Sequence, residues 1–124
     1  MSVKRLQVGP RLSQAVVHGN TVYLAGIVAG DEPTTKGQTE TILKKIDALL
    51  ASAGSNKTKL LSATIYLADM KKYDEMISAW DAWVDPMNTP ARATVEAKLA
   101  QQKYLVEIMV TAAIWAGSPA RRWS

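Results

Sequence analysis

Arg92 and Glu107 are the two side chains between Pro90 and Ile114 whose types and setting can do chemistry. Arg92 follows Pro90-Ala91 in a short alternating run, so Thr94 and Glu96 share its face while Ala91, Ala93 and Val95 face the other way. A guanidinium there is a planar fork suited to a small carboxylate, or a solvated or ion-paired surface charge. Glu107 interrupts a second alternating run, in which Val106, Ile108, Val110, Ala112 and Ile114 form a wholly apolar face. A carboxylate within so hydrophobic a strand is costly to bury unless water or a partner reaches it. It reads either as a ligand-handling acid or as a structural, ion-paired one.

Composition excludes much other chemistry. The sequence has no Cys, which removes disulfides, thiolate nucleophiles and cysteine-ligated metals, and its one His, His18, argues against a conventional zinc site or Ser-His-Asp triad. No metal or other cofactor is expected. At 124 residues the chain reads as one domain spanning 1–124. No run of apolar residues is long enough to cross a membrane, and the segment 1–10 has no signal-peptide pattern, so a soluble, cytoplasmic protein without membrane contact is expected. The formal charge is +4, but basic and acidic residues are interspersed except at Arg121 and Arg122. Two basic residues neutralise few phosphates, so that tail reads as a loose terminus, and no basic-aromatic stripe points to nucleic acid.

The elements that must position Arg92 and Glu107 follow from periodicity. Val3 to Val8 reads as an edge strand. Leu12 to His18 and Thr21 to Ala25 form a hairpin about Gly19-Asn20, in which both turn residues are expected to take positive φ and His18 merely flanks the turn. Gly26, Gly30 and Pro33 mark a loop. Thr35 and Gln38 fit a capping box for a first helix with Ile42, Leu43, Ile46, Leu49 and Leu50 inward and a glycine cap at Gly54; its Lys44, Lys45 and Asp47 read as solvated. Leu61, Ala63, Ile65 and Leu67 are the inward set of the next strand. Asp69 then caps a second helix with a stripe of Tyr73, Met76, Ile77, Trp80 and Val84, and Asp85-Pro86 ends it. Trp80 and Trp83 read as core or subunit contact rather than a base-stacking platform. The order is α+β, with two helices covering one face of a sheet. The other face would expose an apolar patch around Leu105 and Met109, which predicts oligomerisation through it.

Six blocks in order resemble the RidA/YjgF family, also called the endoribonuclease L-PSP family. They are Ser13 to Val17, Val22 to Gly26, Gln38-Thr39, Ile65 to Asp69, Pro90 to Val95 and Val106 to Ile108. Gly54 to Lys57 and Ala79 to Trp83 bring the chain nearest its YoaB-like branch. The resemblance implies a chorismate-mutase-like fold assembled as a homotrimeric barrel with clefts between subunits. It further implies hydrolysis of reactive enamine or imine acids of the 2-aminoacrylate type to 2-oxo acids and ammonia, without a cofactor. By position Arg92, with Thr94 beside it, would bind the substrate carboxylate, and Glu107 would orient the water. No Cys or His is needed, because an imine carbon is already electrophilic and asks only for positioning and proton transfer.

Three positions depart from the family pattern. Typical members have a Tyr soon after the early Gly-Pro, where this chain has Arg11 and Leu12. They have a Cys two residues after the motif Arg, where this chain has Thr94, and an Asn on the second helix, where this chain has Ile77. Arg11 reads as a second anionic contact or a surface charge. The pocket wall is thus changed while its anchor is kept. Two alternatives stand beside the deaminase: a non-catalytic trimer that binds small carboxylates, and the endoribonuclease or translation-inhibitor activity that the family name carries. Against the last, the sequence offers no His pair for RNA cleavage.

Overall fold

A computed structural model describes residues 2–114; the basic tail with Arg121, Arg122 and Trp123 lies outside the described residues. Six strands form one mixed sheet: β1 (Val3–Val8), β2 (Ser13–His18), β3 (Thr21–Leu24), β4 (Leu60–Leu67), β5 (Ala91–Glu96) and β6 (Val106–Ala113). Their spatial order is β1-β2-β3-β6-β4-β5. Two helices, α1 (Thr35–Ser52) and α2 (Tyr73–Trp83), join β3 to β4 and β4 to β5. The last strand slots between β3 and β4, antiparallel to both, while β4 and β5 run parallel across the α2 crossover. The α+β architecture expected from the sequence is observed, and no described helix is long and apolar enough to cross a membrane.

The central position of β6 explains its composition. Val106, Ile108, Val110 and Ala112 are buried and meet Leu67, Ile65, Ala63 and Leu60 across the β4 ladder. Against that face α1 packs Ile42, Leu43, Ile46, Leu49 and Leu50, and α2 packs Met76 and Trp80. The register shifts between Leu60 and Ser62, so Leu61 is an extra residue. That bulge corrects the expected alternation: Leu60 enters the core and Leu61 is exposed.

Local chemistry sets the helix ends, with corrections. The cap of α1 is Thr34, whose hydroxyl accepts from Gly37 N–H at 2.9 Å, rather than Thr35. Gln38 makes no capping box; it is buried and turned toward a distant loop. The other end is as expected. Gly54 takes φ +81, and the Gly54 and Ser55 N–H groups donate to Ala51 and Leu50 carbonyls, a Schellman closure. In the β2–β3 hairpin only Gly19 takes positive φ, at 63, and Asn20 does not. One positive φ at the first turn position is the II′ pattern. Lys45 and Asp47 are not simply solvated: Lys45 Nζ donates to Val28 O at 2.8 Å, and Asp47 accepts from Trp83 Nε1 at 3.0 Å.

Candidate functional site

The edge strand β5 follows Pro90 and pairs with β4 alone, Arg92 standing opposite Ala63 and Thr94 opposite Ile65. Since Ala63 and Ile65 are buried beneath the helices, Arg92 and Thr94 lie on the helix side of the sheet, at its rim. Arg92 Nη1 donates to Thr94 Oγ1 at 2.8 Å, and Nη2 approaches the Tyr73 hydroxyl at 3.5 Å. Its guanidinium carbon stands 5.9 Å from the centre of the Trp80 ring, within cation–π range. The alternation expected for β5 therefore holds, and Glu96, the third residue of that face, accepts from Met70 N–H at 2.9 Å. Arg92 is solvent-exposed. Within ion-pair distance among the described residues only Lys72 and Glu75 are matched, at 3.6 Å. Among the described residues the guanidinium thus keeps unfilled donors and an unbalanced charge.

Glu107 stands opposite Tyr66 on the sheet face away from the helices, half-buried and without an ion-pair partner among the described residues. Gly26 explains where its carboxyl group goes. The chain beside β6 bulges after Leu24 and rejoins it through Ile27 and Ile108. A Cβ on Gly26 would overlap Glu107 Oε2 and lie 2.8 Å from Glu107 Cδ, so the missing side chain is the space the carboxylate occupies. Gly26 also lines a groove of about 450 Å³, together with Gln7, Gln14 and Lys45. Gln7 is the one described non-glycine residue with positive φ, 49. Glycine in this loop was legible as punctuation; its steric service to Glu107 was not.

The remaining predicted site residues are scattered within one chain. Arg11 and Leu12 are exposed in the β1–β2 turn, and four strand spacings, about 19 Å along a flat sheet, separate β2 from β5. Ile77 lies one turn after Tyr73 on α2, half-buried and packed against the core. Tyr73 is what sequence reasoning missed. It read as one more apolar stripe residue, and the signal was its hydroxyl, the one polar atom on that stripe besides the Trp80 indole N–H. No cluster of three or more His, Asp or Glu able to hold a metal occurs among the described residues.

The comparisons bear on the whole arrangement. The family model for Endoribonuclease L-PSP matches residues 3–114. The chain belongs to the endoribonuclease L-PSP family. A RutC family protein of Haemophilus influenzae is 46% identical over 114 residues, covering 90% of this chain and 98% of the relative. The RutC family protein YoaB of Escherichia coli strain K12 is 42% identical over 114 residues, covering 92% and 100%. A crystal structure of a YjgF family member from Neisseria meningitidis superposes with TM-score 0.91 at 43% identity, covering 93% of this chain and 97% of that one. The L-PSP resemblance drawn from the six sequence blocks, including its YoaB-like branch, is borne out.

Proposed function

We propose that this L-PSP family chain is a cofactor-independent deaminase of small 2-imino and 2-enamino acids, working as a homotrimer with its sites in the clefts between subunits. The observation that carries this reading is a pair of charges with no ion-pair partner among the described residues: the exposed Arg92 guanidinium, and the Glu107 carboxylate lodged against Gly26. Arg92 and Thr94 hold the substrate carboxylate. Glu107 takes a proton from water as the water oxygen bonds to the imine carbon. That proton passes to the imine nitrogen to give a carbinolamine, whose hydroxyl proton then reaches the nitrogen by way of Glu107 as the C=O bond forms and the C–N bond breaks, so that ammonia leaves and a 2-oxo acid remains.

The assembly is part of the proposal because Arg92 and Glu107 face opposite sides of one sheet. The helix-free face exposes Tyr23 (47%), Val95 (42%) and Met109 (41%), an apolar surface that a second copy would cover. Packing that face against neighbours brings Glu107 of one subunit toward the β5 rim of another, and the β1–β2 turn with Arg11 and Leu12 toward the same cleft.

The test is ammonia release from imines generated in situ by an amino-acid oxidase, comparing the natural sequence with Arg92→Ala and Glu107→Gln. Acceleration lost in both variants is expected. Tight binding of a 2-oxo acid with no acceleration of any imine would replace this reading with the non-catalytic carboxylate-binding trimer.

A further inference from the structure

Tyr73 stands where a third hydrogen-bond donor to a bound carboxylate would be needed. Its hydroxyl oxygen faces Arg92 Nη2, a guanidinium nitrogen that can only donate, so the phenolic hydrogen is free to donate elsewhere. The 3.5 Å separation is long for a direct hydrogen bond. It is, however, the spacing at which one carboxylate oxygen can sit about 2.8 Å from both the phenol and the guanidinium nitrogen. On the other side, Thr94 Oγ1 accepts from Arg92, at 2.8 Å, and keeps its own hydrogen. Three donors therefore converge at the β5 rim.

The position of Tyr73 is fixed from both ends. Asp69 accepts from Lys71 N–H at 2.9 Å and starts the short turn that leads into α2. Glu96, on the same face of β5 as Arg92, ties that turn to the strand through Met70 N–H. Two turns further along α2, the Trp80 ring is 4% exposed and backs the guanidinium. The phenol and the fork are thus parts of one braced unit.

We propose that Tyr73 is a substrate-binding residue that donates its phenolic hydrogen to the carboxylate held by Arg92. This rests on the carboxylate-anchoring reading of Arg92. The class of ligand is a small 2-oxo or 2-imino acid with one carboxylate to place among Arg92, Thr94 and Tyr73.

The experiment measures pyruvate binding by calorimetry and imine turnover on the full chain, for the natural sequence and for Tyr73→Phe. The phenylalanine keeps the ring that packs on the core and removes one oxygen. Its dissociation constant for pyruvate and its KM should rise about tenfold, with kcat changed by less than about twofold, because the contact is made equally in ground and transition states. Site-specific 3-fluorotyrosine at position 73, a stronger donor and weaker acceptor, should tighten pyruvate binding, assayed below the pH at which the phenol ionises. Unchanged binding in Tyr73→Phe, with pyruvate bound normally by the natural sequence, overturns the role of Tyr73 alone. Weaker binding with fluorotyrosine overturns donation and leaves Tyr73 a prop for Arg92. A natural sequence that neither binds pyruvate nor turns over any imine overturns the anchoring reading itself, and the Tyr73 proposal with it.

Discussion

Arg92 and Glu107 project from opposite faces of the same sheet, two strands apart. Arg92 shares its register position with buried Ala63 and reaches Tyr73 on α2, whereas Glu107 stands opposite Tyr66 on the helix-free face. Side chains alternate along a strand, so no rotamer of either residue carries it through the sheet. A single copy therefore cannot bring these two side chains together.

That geometry makes a prediction about mixtures. If each cleft takes Arg92 from one subunit and Glu107 from its neighbour, Arg92→Ala and Glu107→Gln should be inactive separately and active together. Random mixing of the two in equal amounts should restore about a quarter of the clefts, those joining an intact Arg to an intact Glu across a boundary. Imine turnover after co-refolding measures it. Activity that stays at the level of the separate variants, in assemblies shown to be mixed, would mean that the two residues do not share a cleft.

Gly26→Ala tests the placing of Glu107 without touching its charge. The new methyl would displace the far end of a flexible side chain, so the fold should survive while the carboxylate swings away from its present seat. Loss of a positioned general base lowers turnover by about a hundredfold or more, and kcat should fall accordingly with KM little changed. Unaltered kcat would show that Glu107 needs no fixed seat.

The β-α order, the inward faces of α1 and β6 and the Gly54 closure were legible in the sequence, because each rests on residues near one another in the chain. The bulge at Leu61 was not, since only pairing with β6 shows that Leu60 and Ser62 meet adjacent residues. The α1 cap was displaced by one position because two threonines stand side by side, and the geometry that chooses Thr34 is fixed by the preceding loop. For the site, Arg92 and Thr94 share a face as their spacing requires. Tyr73 stayed hidden because its contact with Arg92 spans 19 residues, and Gly26 because its role depends on a side chain in another strand.

Asp85 gives a pH signature outside the site. Its carboxyl accepts from the Asn88 side chain at 3.0 Å and from Met87 N–H at 2.9 Å, in the turn that carries the chain from α2 toward β5. Those bonds, in that order of effect, with the Lys57 charge, hold it below the usual carboxylate range. The folded state then releases this proton more readily than the unfolded chain, whose value is about 3.9, so the contribution is complete above that pH and fades as pH falls through the depressed value. Asp85→Asn should lower the melting temperature at pH 7, and the difference should close as pH falls below 4. A difference that persists undiminished to pH 2 would assign it to the loop backbone rather than to the carboxylate charge.

Gln38 is the buried polar residue on which the loop before β6 depends. It is 1% exposed, donates to Glu32 O and Lys103 O at 2.9 Å, and accepts from Leu105 N–H at 2.9 Å. One amide thus joins the first turn of α1 to the segment that delivers the chain into Val106 and Glu107. Gln38→Leu keeps the volume but leaves two carbonyls and an N–H without partners, a cost on the order of 3 kcal/mol. Urea unfolding should show that loss, and hydrogen exchange should show the Leu105 amide opening faster than those of Ile108 and Val110. If stability falls while Leu105 stays as protected as the β6 interior, the side chain braces α1 alone and the entry to β6 is held by other contacts.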